Sequence, residues 1–72
     1  MKVIDTVSDA LKTIDSYYGP PEDFFLLVAE ELLDPAGINM AIICDRILSR
    51  NCEPNGFEQR VGFRIYRYKA WD

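Results

Sequence analysis

The 72-residue sequence contains no histidine and only two cysteines, Cys44 and Cys52. Without histidine, it lacks the side chain that most often activates a serine or cysteine nucleophile and a common ligand of zinc. The two cysteines form no CxxC motif, so they would hold a metal only with ligands from another chain, and no glycine-rich phosphate loop is present. The sequence predicts no catalytic residue, no metal, no cofactor and no enzymatic activity.

Long apolar runs are also missing. The longest, from Phe24 to Ala29, is far below the roughly 20 residues that a membrane-spanning helix needs, and the first residues lack an apolar stretch of signal-peptide length. Two cysteines are fewer than the disulfide framework of a small secreted domain usually contains. We therefore expect one small cytoplasmic domain over residues 1–72, with no membrane contact. Its thiols are expected to be reduced, and a single Cys44–Cys52 bridge is the alternative.

What the chain does carry is an uneven distribution of charge. Through Asp34 there are eight acidic residues and two lysines, a net charge of −6, whereas from Pro35 onward six basic residues face four acidic ones, a net of +2. Residues 60–69 contain half of the basic residues, interspersed with aromatic ones. Because the total is −4 at pH 7, nucleic acid is a disfavoured partner. The pattern favours a basic, aromatic C-terminal face that meets an acidic protein.

The apolar spacing predicts three helices. The first covers residues 3–18 and ends at a Gly-Pro pair, the second runs from Pro21 through residue 34, and the third runs from an Asn39 N-cap to about Arg50. On the second helix the apolar arc would span roughly 200°, which is more than one small core is expected to cover. This helix is therefore expected to be central or to form a homodimer interface. The self-association residues would be Phe25, Leu26, Ala29 and Leu33.

Residues 57–69 fit two patterns. Helical spacing of their apolar residues permits a fourth helix and hence an all-α four-helix domain. Gly62 and the many β-favouring residues instead indicate a hairpin with strands at 57–60 and 63–69. The preferred fold is thus α+β, with three helices followed by a short C-terminal β-hairpin. Its last strand would place Arg64, Tyr66 and Tyr68 on one side and Phe63, Ile65 and Arg67 on the other.

Three short segments resemble the winged helix-turn-helix superfamily. Residues 28–33 (Val-Ala-Glu-Glu-Leu-Leu) resemble its second helix, residues 37–39 (Gly-Ile-Asn) the turn into its recognition helix, and residues 62–68 the returning strand of its wing. The resemblance implies that the third helix docks in the major groove of DNA. It assigns duplex contacts to Asn39, Arg46, Ser49 and Arg50 on that helix, and backbone contacts to Arg60, Arg64 or Arg67 on the wing.

Two functions follow from these patterns. The leading hypothesis is a small non-enzymatic protein-interaction domain that self-associates and binds an acidic protein through its C-terminal face. The alternative is a winged-helix DNA-binding protein. The plainest structural interpretation of the C-terminal segment is an ordinary half-buried strand with Phe63 and Ile65 facing the core. The candidate contact residues for either partner are Asn39, Arg46, Ser49, Arg50, Arg60, Arg64, Tyr66, Arg67 and Lys69.

Overall fold

Two α-helices pack on one face of a three-stranded antiparallel sheet in the computed structural model, which describes residues 2–71. Two 3-10 turns, Pro21–Asp23 and Glu30–Leu32, flank the first strand. Within residues 2–71, no helix is long and apolar enough to cross a membrane. The elements are α1 (Val7–Ser16), β1 (Phe25–Ala29), α2 (Ile38–Leu48), β2 (Cys52–Arg60) and β3 (Phe63–Ala70).

Strand β3 lies at the centre of the sheet, in the order β1-β3-β2. It pairs antiparallel with both neighbours, so that Tyr66 lies opposite Leu26 on one side and Phe57 on the other. The outer edge of β1 is partly covered by Ile4, whose amide donates to Leu27 O at 2.7 Å and whose carbonyl accepts from Ala29 N at 2.8 Å. The edge strand on the other side is β2.

The prediction of three helices followed by a hairpin is wrong, and so is the all-α alternative. Residues 21–34, expected to form the second helix, instead form two 3-10 turns with β1 between them. In a strand successive side chains point to opposite faces, and here both faces of β1 carry apolar side chains. Leu26 and Val28 enter the core, whereas Phe25 and Leu27 are half-buried on the other side. The resulting unbroken apolar run lacks the alternation that identifies a strand.

The structure retains the hairpin of that prediction, the first helix, shortened to Val7–Ser16, and the third helix. Strands β2 and β3 pair in register from Arg60 opposite Phe63 outward, with Val61 and Gly62 between them. Gly62 has a φ of +85°, a conformation that costs little only for glycine. The strands extend beyond the predicted ends, and β2 contains an irregularity between Pro54 and Phe57.

Helix α2 begins one residue before the predicted start and is capped by another residue. The carboxylate of Asp34 accepts hydrogen bonds from the amides of Ile38 and Asn39, each at 2.9 Å, so Asn39 is not the N-cap. Gly37 precedes the helix with a φ of +72°. The Asn39 and Ile38 amides lower the pKa of Asp34. This cap therefore contributes stability above the ordinary carboxyl pKa and loses it as the pH falls.

The core contains one buried polar atom without a partner. Helices and sheet meet around Ile14, Leu26, Val28 and Ile43, which are at most 1% exposed. Tyr68 joins this cluster at 2% exposure, and within residues 2–71 its hydroxyl makes no hydrogen bond. Burial, with smaller effects of the Cys44 thiol and Tyr66, raises the pKa of Tyr68. A buried hydroxyl without a partner destabilises the folded state.

We predict that Tyr68→Phe raises the free energy of unfolding by about 1 kcal/mol, because it removes an unbonded hydroxyl from the core. Tyr17→Phe is the matched control, since the Tyr17 hydroxyl donates to Pro20 O at 2.8 Å, and it should lower the value by up to about 1 kcal/mol. Urea unfolding of both variants measures the difference. A loss of stability in Tyr68→Phe equal to that in Tyr17→Phe would contradict the prediction.

Candidate interaction surfaces

The sheet face opposite the helices has no second layer over it. Cross-strand partners point to the same side of a sheet, and the partners of core residues Leu26 and Val28 define the helix side. The remaining side chains form what we call the open face. Its apolar members are Phe25, Leu27, Phe63, Ile65 and the buried Ala29, and its charged members are Glu53, Glu58, Arg60, Arg67 and Lys69.

Ion pairs within the chain engage the basic residues of the open face. Glu58 accepts two hydrogen bonds from Arg67, Nε at 3.0 Å and Nη2 at 2.8 Å, and one from Arg60 Nη2 at 2.7 Å. Lys69 Nζ lies 3.4 Å from a Glu53 oxygen, and the Arg67 guanidinium lies 5.7 Å from the centre of the Phe25 ring. Three cations and two carboxylates therefore leave this face with little net charge.

The helix side of the hairpin carries a second group, which we call the Arg64 cluster: Arg64, Phe57, Gln59 and Tyr66. The Arg64 guanidinium lies 4.4 Å from the centre of the Phe57 ring. Its Nε donates to Gln59 Oε1 at 2.9 Å and its Nη1 to the Tyr66 hydroxyl at 3.0 Å. The rings of Phe57 and Tyr66 are 5.2 Å apart. The Arg64 guanidinium therefore contacts both the Phe57 ring and the Tyr66 hydroxyl near the tip of the hairpin.

The predicted division of β3 into two sides is confirmed, but the side facing the core is the opposite of the one expected. Tyr68 is buried and Tyr66 packs against the core. Phe63 and Ile65 lie on the open face instead of facing inward. Alternation along one strand shows which residues share a side, and only the pairing with β1 shows which side the helices cover.

The candidate duplex-contact residues on α2 and just after its end make hydrogen bonds or ion pairs within the chain. Asn39 Nδ2 donates to Leu32 O at 2.9 Å, and Ser49 donates to Arg46 O at 2.7 Å. Arg46 forms an ion pair with Asp15 on α1. Arg50 donates to the carbonyls of Ile14 and Tyr17 at the end of α1. These hydrogen bonds and the ion pair join the two helices and cap their C-terminal ends, while Arg46 and Ser49 also line one shallow surface depression.

The residues predicted to mediate self-association separate into different environments. Phe25 lies on the open face, and Leu33 is half-buried against the core. Leu26 and Ala29 are buried, at 1% and 4% exposure, so they are not on the surface of the folded chain. The helical arc on which this group was predicted does not form.

Sequence reasoning missed Leu27 of the open face and both Phe57 and Gln59 of the Arg64 cluster. Leu27 lies two residues after Phe25, so a strand pattern over 25–29 would have placed the two together. The positions of Phe57 and Gln59 depend on the irregular register after Pro54. Pro54 and Gly56, whose φ is +80°, are local signs of an irregular strand, but they do not show which residues of β3 lie opposite Phe57 and Gln59.

The structure brings few groups together that could hold a metal or cofactor. Residues 2–71 contain no cluster of three or more histidine, cysteine or acidic side chains suited to a metal ion. A cavity of about 120 Å³ between the helices and the sheet is lined by Tyr17, Phe24 and Arg50 among others, and it is well below the volume of typical small-molecule sites. Three larger depressions, of about 280 to 320 Å³, are more open to solvent. Both cysteines are free. Burial, with a smaller effect of Asp45, raises the pKa of Cys44, which disfavours the reactive thiolate.

Comparison of the chain with protein-family models, with curated proteins and with solved structures found no match. The class of fold therefore comes from the structure alone: an α+β domain with two helices on one face of a three-stranded antiparallel sheet. The three-helix arrangement implied by the winged-helix resemblance is absent, because β1 occupies the place of the second helix.

We predict that Glu58→Gln weakens the dependence of stability on acid pH. Arg67, and to a lesser extent Arg60, lower the pKa of Glu58. The folded state therefore gains stability from ionised Glu58 above its ordinary pKa, and this gain disappears as the pH falls through the lowered value. Thermal unfolding measured from pH 7 to pH 2.5 should show a lower melting temperature for the variant at neutral pH and a smaller fall on acidification.

Glu31→Gln is the control for this experiment, because the Glu31 side chain makes no hydrogen bond or ion pair in the described part of the chain. It should retain the acid dependence of the unmodified protein. Identical acid dependence in Glu58→Gln and the unmodified protein would rule out the role assigned to the Glu58 ion pairs.

Proposed function

We propose that the protein is a small, non-enzymatic protein-interaction domain that pairs with a second copy of itself through the open face. The observation that carries this proposal is the apolar centre of a sheet face that lies outside the core. Leu27 lies directly opposite Ile65, and Phe63 lies opposite Ala29. None of Leu27, Phe63 and Ile65 belongs to the buried core cluster. A sheet is normally stabilised by covering its apolar face with another layer.

Charge favours a second copy as the occupant. In a two-fold dimer both copies present the same surface, so that surface must be complementary to itself. The open face carries Glu53 and Glu58 together with Arg60, Arg67 and Lys69. The Glu58 of one copy could therefore exchange arginine partners with the other, whereas a face of one sign would repel its copy.

The strand edges are less suitable for self-association. Pro54 lacks an amide hydrogen, and the strand is irregular between Pro54 and Phe57, both of which hinder the addition of another strand to β2. The outer edge of β1 is already bonded to Ile4. This leaves the face of the sheet as the better surface for pairing.

The size of the open face indicates a weak dimer. The longest strand, β2 with nine residues, is about 30 Å long, and three strands span about 14 Å. This projected area is well below the roughly 800 Å² that each partner contributes to a standard stable interface. We therefore expect reversible association in the high micromolar range or weaker.

Sedimentation equilibrium over a concentration series tests the proposal. The unmodified protein should show a concentration-dependent dimer, and Ile65→Lys should remain monomeric, because it places a charge at the centre of the open face. Leu26→Glu would be unsuitable, because Leu26 is buried and its replacement would test folding instead of association.

Ile42→Lys is the matched control, since Ile42 is 43% exposed on the other side of the molecule, on α2. This variant should dimerise like the unmodified protein. Circular dichroism should show that both variants are folded. A monomer at every concentration of the unmodified protein, or loss of the dimer in Ile42→Lys alone, would overturn the proposed interface.

A further inference from the structure

Arg64 differs from the other cations of the hairpin in having no anionic partner. Arg60 and Arg67 share Glu58, and Lys69 pairs with Glu53. Within residues 2–71, no carboxylate lies within salt-bridge distance of Arg64. We propose that the Arg64 cluster binds a side-chain carboxylate of an acidic peptide segment. The cluster is on the opposite side of the sheet from the open face, so the two proposals are independent.

The guanidinium retains donors for such a ligand. Arginine has five N–H groups, and the bonds to Gln59 and Tyr66 use one on Nε and one on Nη1. The two N–H groups of Nη2 and one of Nη1 make no hydrogen bond within residues 2–71. Guanidinium and carboxylate form paired, charge-assisted hydrogen bonds. By contrast, Arg50 is already bound to two backbone carbonyls.

The cluster is also ordered before any ligand arrives. The Phe57 ring packs against the Arg64 guanidinium, and hydrogen bonds to Gln59 and Tyr66 fix the orientation of the guanidinium. A side chain held in its binding geometry loses less entropy when a partner binds. Phe57 is 49% exposed, so its ring offers an apolar contact beside the charge. Arginine and tyrosine are enriched at the energetic centres of protein interfaces.

Local charge favours a peptide over a nucleic acid. The Gln59 amide donates to Glu30 Oε1 at 3.1 Å, so a carboxylate lies at the border of the cluster. One unpaired guanidinium suits one carboxylate, whereas a run of phosphates needs several cations. The total charge of −4 would oppose a long polyanion more strongly than a short acidic peptide. The ligand we infer has an acidic side chain for Arg64 and an apolar neighbour for Phe57.

Fluorescence anisotropy with a labelled peptide EELFEE, and with QQLFQQ as its neutral counterpart, tests this inference. EELFEE should bind at least tenfold more tightly than QQLFQQ. Arg64→Gln should weaken EELFEE binding at least tenfold, and Arg64→Lys should weaken it nearly as much, because lysine keeps the charge but lacks the planar fork. Glu30→Gln should strengthen binding by about twofold, since it removes a nearby repulsive charge.

Lys12→Gln is the matched control, because it removes one positive charge from α1, away from the Arg64 cluster, and it should change the affinity by less than twofold. Equal weakening by Arg64→Gln and Lys12→Gln would overturn the inference, as would equal binding of the two peptides. Tighter binding of a labelled ten-residue oligothymidylate than of EELFEE would do the same. If circular dichroism shows that both Arg64 variants are unfolded, the peptide preference and the Glu30→Gln gain decide the outcome.

Discussion

The pairing of β1 with β3 is the contact on which the rest of the structure depends. It joins residues 25–29 to residues 63–67 and sets Leu26 beside Tyr66. This register turns Leu26 and Val28 toward the helices, together with Tyr68. It simultaneously places Leu27 and Ile65 on the open face. One register therefore decides which side chains form the core and which form the surfaces proposed to meet partners, because a shift by one residue would exchange the two sides.

The sequence predicts those elements whose determinants are local. The Val61-Gly62 turn needs a glycine that accepts positive φ, and the strands beside it are rich in β-favouring residues, so the hairpin could be located. The prediction of a helix over residues 21–34 is wrong because the local signals in this segment agree with a helix. Proline and acidic residues at the start suit a helical first turn. Pairing with β3 overrides these signals. A single short apolar run does not by itself distinguish a strand from a helix.

The same limit applies to the candidate surfaces. Alternation within 60–69 places Arg64 and Tyr66 on one side, but the sequence does not show that Phe57 and Gln59 join them. Nor does it show that Glu58 binds two arginines. The number of basic residues predicts a positive face, whereas the pairing within residues 2–71 leaves Arg64 as the hairpin cation without a carboxylate. A candidate binding residue is therefore identified by whether its cation is paired with a carboxylate within the chain. That pairing is known only once the register of the strands is known.

The central position of β3 also constrains how the chain folds during synthesis. Both β1 and β2 form their strand pairs with β3, and β3 is the last strand in the sequence. β1 cannot form its native pairs until residues 63–67 have left the ribosome, and β2 cannot complete its pairs until residue 70 has done so, although the helices can form earlier. Until then the apolar stretch from Phe24 to Ala29 has no sheet to join. Such exposed segments are the usual targets of chaperones and the usual start of aggregation. In this chain, the time at which β3 is synthesised determines how long the apolar stretch from Phe24 to Ala29 stays exposed.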